Sequence, residues 1–236
     1  MKTIGLIGGI SWYSTIDYYR IINEAVNKKL GNYSSAKILL YSVNYEEIVT
    51  LTYQGDWTGI EKIIGGAAKN LQNAGADCIL LCANTMHIIA DKVQSLIDVP
   101  LLHIADVIVK AIAEKQIKKV LLLGTKYTMQ ADFYASRLNR NGVDVVIPNL
   151  DEMEAVNDTI YNELGKGELL ASTKKMYVDI INKYIGVGIQ GVILGCTEIP
   201  LLIKQDDCLT PVFNTTVLHA IAGTNFALNY SVNNGI

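Results

Sequence analysis

Cys78-Ile79-Leu80-Leu81-Cys82-Ala83-Asn84-Thr85 reads as a strand that ends on a cysteine and turns into a helix start. Its first four residues are apolar without polar alternation, the pattern of a strand covered on both faces in a parallel sheet. Asn84 and Thr85 then open a helical pattern that extends to about Ile97. The reading recurs at Gly191-Val192-Ile193-Leu194-Gly195-Cys196-Thr197-Glu198, with Cys196 placed 114 residues after Cys82.

Outward from Cys78 the chain alternates strand and helix. Apolar runs at 4–7 and 37–43 predict strands on either side of a helix over about 15–30, an order that implies parallel pairing. The polar stretch 45–59 reads as a connection. It precedes a helix over 60–74, for which Gly75 is a C-terminal stop, and a strand is expected at 101–104. The second half repeats the rhythm: strands at 119–123, 144–147 and 192–194, a helix near 129–141, and helices between 151 and 185. Gly8 matches Gly124 at an offset of 116, and Pro100 and Pro211 each open an apolar pair downstream of a cysteine. Internal duplication is the simplest account. The fold expected is α/β, with two pseudo-twofold-related domains, each a parallel sheet flanked by helices, and an active site in the cleft between them. Residues 1–98, completed by 209–236, form the first domain, and 99–208 the second.

Composition narrows the class. Half of the 236 residues are hydrophobic and 18% are charged, with 19 Gly and 4 Pro, which excludes a disordered chain. A chain of this length buries about three-quarters of its unfolded surface. The formal net charge of -3 offers no footprint for nucleic acid or an anionic membrane. The N-terminal run is broken by Gly5, Gly8 and Gly9 and reads as a strand rather than a signal peptide. No stretch reaches 18 apolar residues, and a cytoplasmic protein is expected. Its four cysteines, at 78, 82, 196 and 208, would then be reduced thiols.

Ligands of parallel sheets bind beyond the carboxyl ends of the strands, where Gly8-Gly9, Cys82, Gly124-Thr125 and Cys196 fall. A single free cysteine is most often a small buried hydrophobe; two at equivalent strand ends of a duplicated chain point to chemistry. Moving a proton from one face of a carbon to the other needs a base on each side. A thiol, with a reference pKa of about 8.5, can serve as acid or base. A following helix start would lower that pKa. Asn84, Thr85 and Thr197 follow the thiols, where helix caps and carboxylate sites use the same N–H donors. Ser11 and Thr125 occupy matching places after the first strand of each half. "GLIGG" is neither a dinucleotide fingerprint nor a phosphate loop. The spacing of Cys78, Cys82 and His87 fits no usual zinc pattern, so no metal is expected. Cys78 and Cys208 are assigned to structure, and His87 to orienting its loop. A redox pair of Cys82 and Cys196 lacks the C-x-x-C signature.

These residues resemble the aspartate/glutamate racemase superfamily, in particular bacterial aspartate racemase-like enzymes. The resemblance rests on "KTIGLIGGISWYSTIDYYRIIN" (2–23), "LCANTMH" (81–87), "LHIAD" (102–106), "LLGTKYTM" (122–129) and "GCTEIPLL" (195–202). It implies a homodimer and amino-acid racemisation without pyridoxal phosphate or any other cofactor. Cys82 and Cys196 would exchange the roles of thiolate and thiol. By the same resemblance Asn84, Thr85 and Thr197 would hold the α-carboxylate, with Ser11 and Thr125 lining the site. Glu198 would mark the aspartate branch, since glutamate racemases typically carry His at that place. Members strict for aspartate often carry an Arg in the loop after the second strand, where "SVNYEEIVT" has Glu46 and Glu47; Lys166 matches a lysine that contacts the distal carboxylate. The substrate is expected to be aspartate, with glutamate as a further candidate. Open alternatives are a maleate isomerase or hydantoin racemase-like activity, and a non-catalytic amino-acid-binding protein.

Overall fold

Ile4–Gly8 (β1) is buried at all five positions, as a run with no polar alternation must be when both faces of its sheet are covered. In the computed structural model, which describes residues 1–229, Trp12–Leu30 (α1), Ile38–Ser42 (β2), Tyr45–Gln54 (α2), Trp57–Asn73 (α3) and Cys78–Leu81 (β3) follow. A 3₁₀ turn, Thr85–Ile89, and the short Ala90–Gln94 (α4) come next. β1 pairs in parallel with β2, from Ile4↔Ile38 to Gly8↔Ser42, and with β3, from Ile4↔Cys78 to Ile7↔Leu81. The order is therefore β2-β1-β3. A single parallel bridge, Ile79↔Leu101, adds a row beside β3.

The second unit contains Ile104–Glu114 (α5), Lys119–Gly124 (β4), Lys126–Gln130 (α6), Asp132–Arg140 (α7), Asp144–Val146 (β5) and Leu150–Asn162 (α8). It continues with the 3₁₀ turn Leu164–Lys166, Ala171–Ile185 (α9), Gly191–Gly195 (β6), Ile199–Leu202 (α10), the 3₁₀ turn Gln205–Asp207, Val212–Asn214 (β7) and the first turn of Thr215–Ala227 (α11). Its sheet runs β5-β4-β6-β7, all parallel. Each unit thus places its first strand centrally, its second and third on either side, and a further row outside the third. Leu101 stands opposite Ile79 as Phe213 stands opposite Ile193. The repeat seen in the sequence is a repeat of connectivity.

The units divide at Met1–His103 with the chain from His219, and Ile104–Leu218. The boundaries read from the sequence, 98/99 and 208/209, move for a hydrogen-bonding reason. Pro100 and Leu102 bond the backbone of Ile79, and so stay with the first unit. β7 pairs with β6, which keeps 209–218 in the second. Residues 230–236, assigned from sequence to the first domain, lie outside the described residues.

Four local expectations change. The stretch 45–59 is largely helical: the Asn44 side chain accepts the Glu46 N–H, and Asp56 accepts the Gly59 N–H. The acidic residues that made it look like a loop, Glu46 and Glu47, sit in the first turn of α2, where the helix dipole favours them. The helix expected over 85–97 is a 3₁₀ turn followed by α4. The helix near 129–141 is interrupted by extended Ala131. The strand at 101–104 shrinks to one bridge because α5 begins at Ile104. Among the described residues, no helix is long and apolar enough to cross a membrane.

Candidate active site

Two glycines shape the turn after β1. A Cβ on Gly8 would fall 2.4 Å from Thr15 Cγ2, and Gly9, at φ 88°, would drive one to 2.2 Å from the Val43 carbonyl oxygen. The close approach lets the Gly9 N–H reach the Thr15 hydroxyl at 2.8 Å. Ser14 Oγ lies 2.9 Å from both the Ser11 and the Cys82 carbonyl oxygens, tying the first turn of α1 to the end of β3. Ser11 is the N-cap residue of α1, and Thr125 is the N-cap residue of α6. Thr125 accepts the Thr128 N–H, and Gly124 leaves room for the Thr128 methyl as Gly8 does for Thr15.

Cys82 is 1% exposed, and its N–H bonds the Ile7 carbonyl at 2.9 Å. Asn84 is buried behind it, and Thr85 opens the 3₁₀ turn. Under this loop lie all three histidines of the chain. The His87 ring centre is 4.8 Å from His103 and 5.5 Å from His219. His219 Nε2 is 2.7 Å from the Leu102 carbonyl and so carries the proton; its Nδ1 then accepts from the Tyr18 hydroxyl, also at 2.7 Å. His87 Nδ1 donates towards the Ala83 and Asn84 carbonyls, at 3.1 and 3.2 Å, and so holds the loop that carries Cys82. Burial keeps His87 and His219 well below the ordinary histidine range, His219 at about 4.

In the second unit Gly124↔Gly195 is the last register pair of β4 and β6, which sets Thr125 and Cys196 side by side. Cys196 Sγ donates to Glu198 Oε2 at 2.9 Å, and the Thr197 hydroxyl donates to the same oxygen at 2.8 Å. Glu198 is buried. Burial pushes the Tyr177 hydroxyl on α9 up, and that hydroxyl shares a 3.1 Å hydrogen bond with Thr159. Lys166 is exposed in its 3₁₀ turn, with its N–H on the Glu163 carbonyl.

The thiols do not follow the expectation of a lowered pKa. Burial pushes Cys82 up, and burial together with the Glu198 carboxylate pushes Cys196 up. The helical segments after them have only five and four residues, too short a dipole to outweigh desolvation. All four cysteines are buried free thiols, and no group of three or more His, Cys, Asp or Glu among the described residues could hold a metal ion. Sequence reading did not single out Ser14, Thr15, His103, Tyr177, His219 or Thr216. Ser14, Thr15 and His103 lie inside the motifs 2–23 and 102–106, whereas Tyr177, His219 and Thr216 reach their places through long-range packing, without a local motif.

Two parallel-sheet units, each ending its third strand on a buried cysteine among hydroxyls and amides, define a class of α/β proteins with thiol sites at strand ends. The Asp/Glu/Hydantoin racemase family model matches residues 7–222, and the chain belongs to that family. It is 26% identical over 168 residues to the broad specificity amino-acid racemase RacX of Bacillus subtilis (strain 168), covering 71% of this chain and 72% of the relative. A Yersinia pestis structure provisionally named an Asp/Glu racemase shares 46% identity and a TM-score of 0.92, over 97% of this chain and all of that one. An aspartate racemase homologue from Pyrococcus horikoshii OT3 shares 41% identity and a TM-score of 0.86 over the same shares.

Proposed function

We propose that the protein is a cofactor-independent amino-acid racemase that uses Cys82 and Cys196 as its two bases. The observation that carries this reading is their equivalence: each directly follows the third strand of its unit, in sheets whose first three strands have the same order, β2-β1-β3 and β5-β4-β6. One cysteine, as thiolate, takes the α-proton and becomes a thiol. The other, already a thiol, gives its proton to the opposite face of the α-carbanion and becomes a thiolate. The proton count is unchanged and the roles are exchanged for the reverse reaction. Ser11, Asn84, Thr85, Thr125 and Thr197 supply hydroxyl, amide and helix-start donors for the substrate, and Lys166 a cation for a distal carboxylate.

Glu198 takes a second role beside substrate contact. With its oxygen 2.9 Å from Cys196 Sγ, it can accept the thiol proton, and general acid–base partners of this kind contribute roughly 10²- to 10⁴-fold.

Aspartate is the first substrate to test, followed by glutamate. RacX is named for broad specificity, and Glu46 and Glu47 on α2 offer no cation to a second carboxylate, so neutral amino acids belong in the same screen. We also read the protein as a cytoplasmic homodimer; Trp12, Tyr13, Ile16 and Tyr19 leave an exposed apolar row on α1 that suits a second copy, and size-exclusion chromatography with light scattering tests it. In deuterated water both enantiomers of a substrate should gain deuterium at Cα, and Cys82→Ala or Cys196→Ala should abolish racemisation. Full racemisation by either variant would overturn the mechanism. Tight binding without Cα exchange would turn the reading to a binding protein, and turnover of maleate or a hydantoin alone to another activity of the superfamily.

A further inference from the structure

The last register pair of β6 and β7 is Leu194↔Asn214. Two residues beyond it on one strand stands Cys196, and two residues beyond it on the other stands Thr216, in the first turn of α11. Asn214 at the end of β7 and Thr215 and Thr216 at the start of α11 are three consecutive polar residues, and two are engaged. Asn214 Oδ1 accepts the Val217 N–H at 3.2 Å. The Thr215 hydroxyl donates to the Leu194 carbonyl at 2.8 Å. Thr216 differs: it is 4% exposed, and its Oγ1 has no hydrogen-bond partner.

A helical threonine can satisfy its hydroxyl on the carbonyl four residues back, as Thr224 does with Ala220 at 3.1 Å in this same helix. For Thr216 that residue is Val212, in β7, outside the helix. Helical side chains lean towards the N-terminus, which carries the Thr216 hydroxyl towards the open end of α11 and the strand ends. A buried hydroxyl without a partner is destabilising. Beside it, the first N–H groups of a 13-residue helix have no intrahelical acceptor and favour an anion. On the neighbouring strand end Glu198 repels a carboxylate and attracts an ammonium group, so the two strand ends together suit the two poles of a zwitterion.

We propose that Thr216 and the first turn of α11 bind a carboxylate of the amino acid handled at Cys196, an inference that rests on the racemase reading. The test compares wild type, Thr216→Val and Thr216→Ser in Cα proton exchange with aspartate, with alanine as a competitor. Valine keeps the shape and removes the hydroxyl. We expect Thr216→Val to raise KM for aspartate by about tenfold or more, the range of one hydrogen bond to a charged group. Its kcat should change little and its melting temperature should not fall, and Thr216→Ser should keep the wild-type KM. A matching rise in the inhibition constant of alanine assigns the α-carboxylate; a rise for aspartate alone assigns the side-chain carboxylate. A Thr216→Val enzyme with KM within twofold of wild type overturns the proposal while leaving the racemase reading intact. A wild-type protein without Cα exchange overturns both.

Discussion

Cys196 Sγ and Glu198 Oε2 share a hydrogen bond of 2.9 Å, whereas the pKa of Cys82 is moved by burial alone. The two candidate bases therefore differ in their surroundings although they end equivalent strands.

Glu198→Gln should change both reactivity and catalysis. The Glu198 charge raises the Cys196 pKa, so its removal lowers that pKa and moves the pH profile of iodoacetamide labelling at Cys196 to lower pH. Loss of the proton acceptor should cut kcat by about 10²-fold, the low end for a general acid–base partner. Peptide mapping of labelled protein and steady-state racemisation check the two. An unmoved labelling profile would show that the carboxylate does not govern the thiol.

The histidine cluster should make the fold labile to acid. His219 is held at about 4 against an ordinary 6.5, so the unfolded chain binds that proton first. The stability it confers is whole above about pH 6.5 and is lost as pH falls towards 4. For His219 the loss amounts to roughly 3 kcal/mol, with His87 adding in the same direction. Urea midpoints measured from pH 7.5 to 5 should fall, and His219→Gln should flatten that slope while lowering stability at pH 7.5. A flat wild-type curve contradicts this.

Gly9→Ala and Gly66→Ala should act in opposite directions. At Gly9 the positive φ and the 2.2 Å approach to the Val43 carbonyl make any Cβ strained, and a loss of more than about 1 kcal/mol is expected. Gly66 lies within α3 with nothing within 4 Å of a new Cβ, so alanine should add about 0.5–1 kcal/mol. Thermal melts of the two variants decide the matter.

Cys208→Ser should leave racemisation unchanged. Cys208 is buried beside the 3₁₀ turn 205–207, and its pKa is raised by burial and Asp207, which suits a structural thiol. A loss of Cα exchange with an unaltered melting temperature would assign it to the site.

The strands were legible because both faces of each central strand are covered and the code is then a plain apolar run, as at 4–8 and 191–195. The capped helices α2 and α3 were partly hidden, since caps and first-turn acids share their vocabulary with loops. Of the candidate site, the residues that follow strand ends could be read, because strand ends are marked by glycine and by the change from apolar to polar. Tyr177, His219 and Thr216 could not: what places them is pairing and packing over tens of residues. The pKa expectation failed because length decides how much dipole a helix offers, and helix length after Cys82 and Cys196 is not written in the residues that start it.

Asn84 and Glu198 hold the same place relative to Cys82 and Cys196, so one half of the repeat is neutral where the other carries a charge. A racemase has an equilibrium constant of unity, which forces kcat/KM to be equal for the two enantiomers however unlike its two faces are. On the proposed reading, the difference between Asn84 and Glu198 must therefore surface elsewhere: in kcat and KM taken separately, and in unequal solvent isotope effects for the two directions.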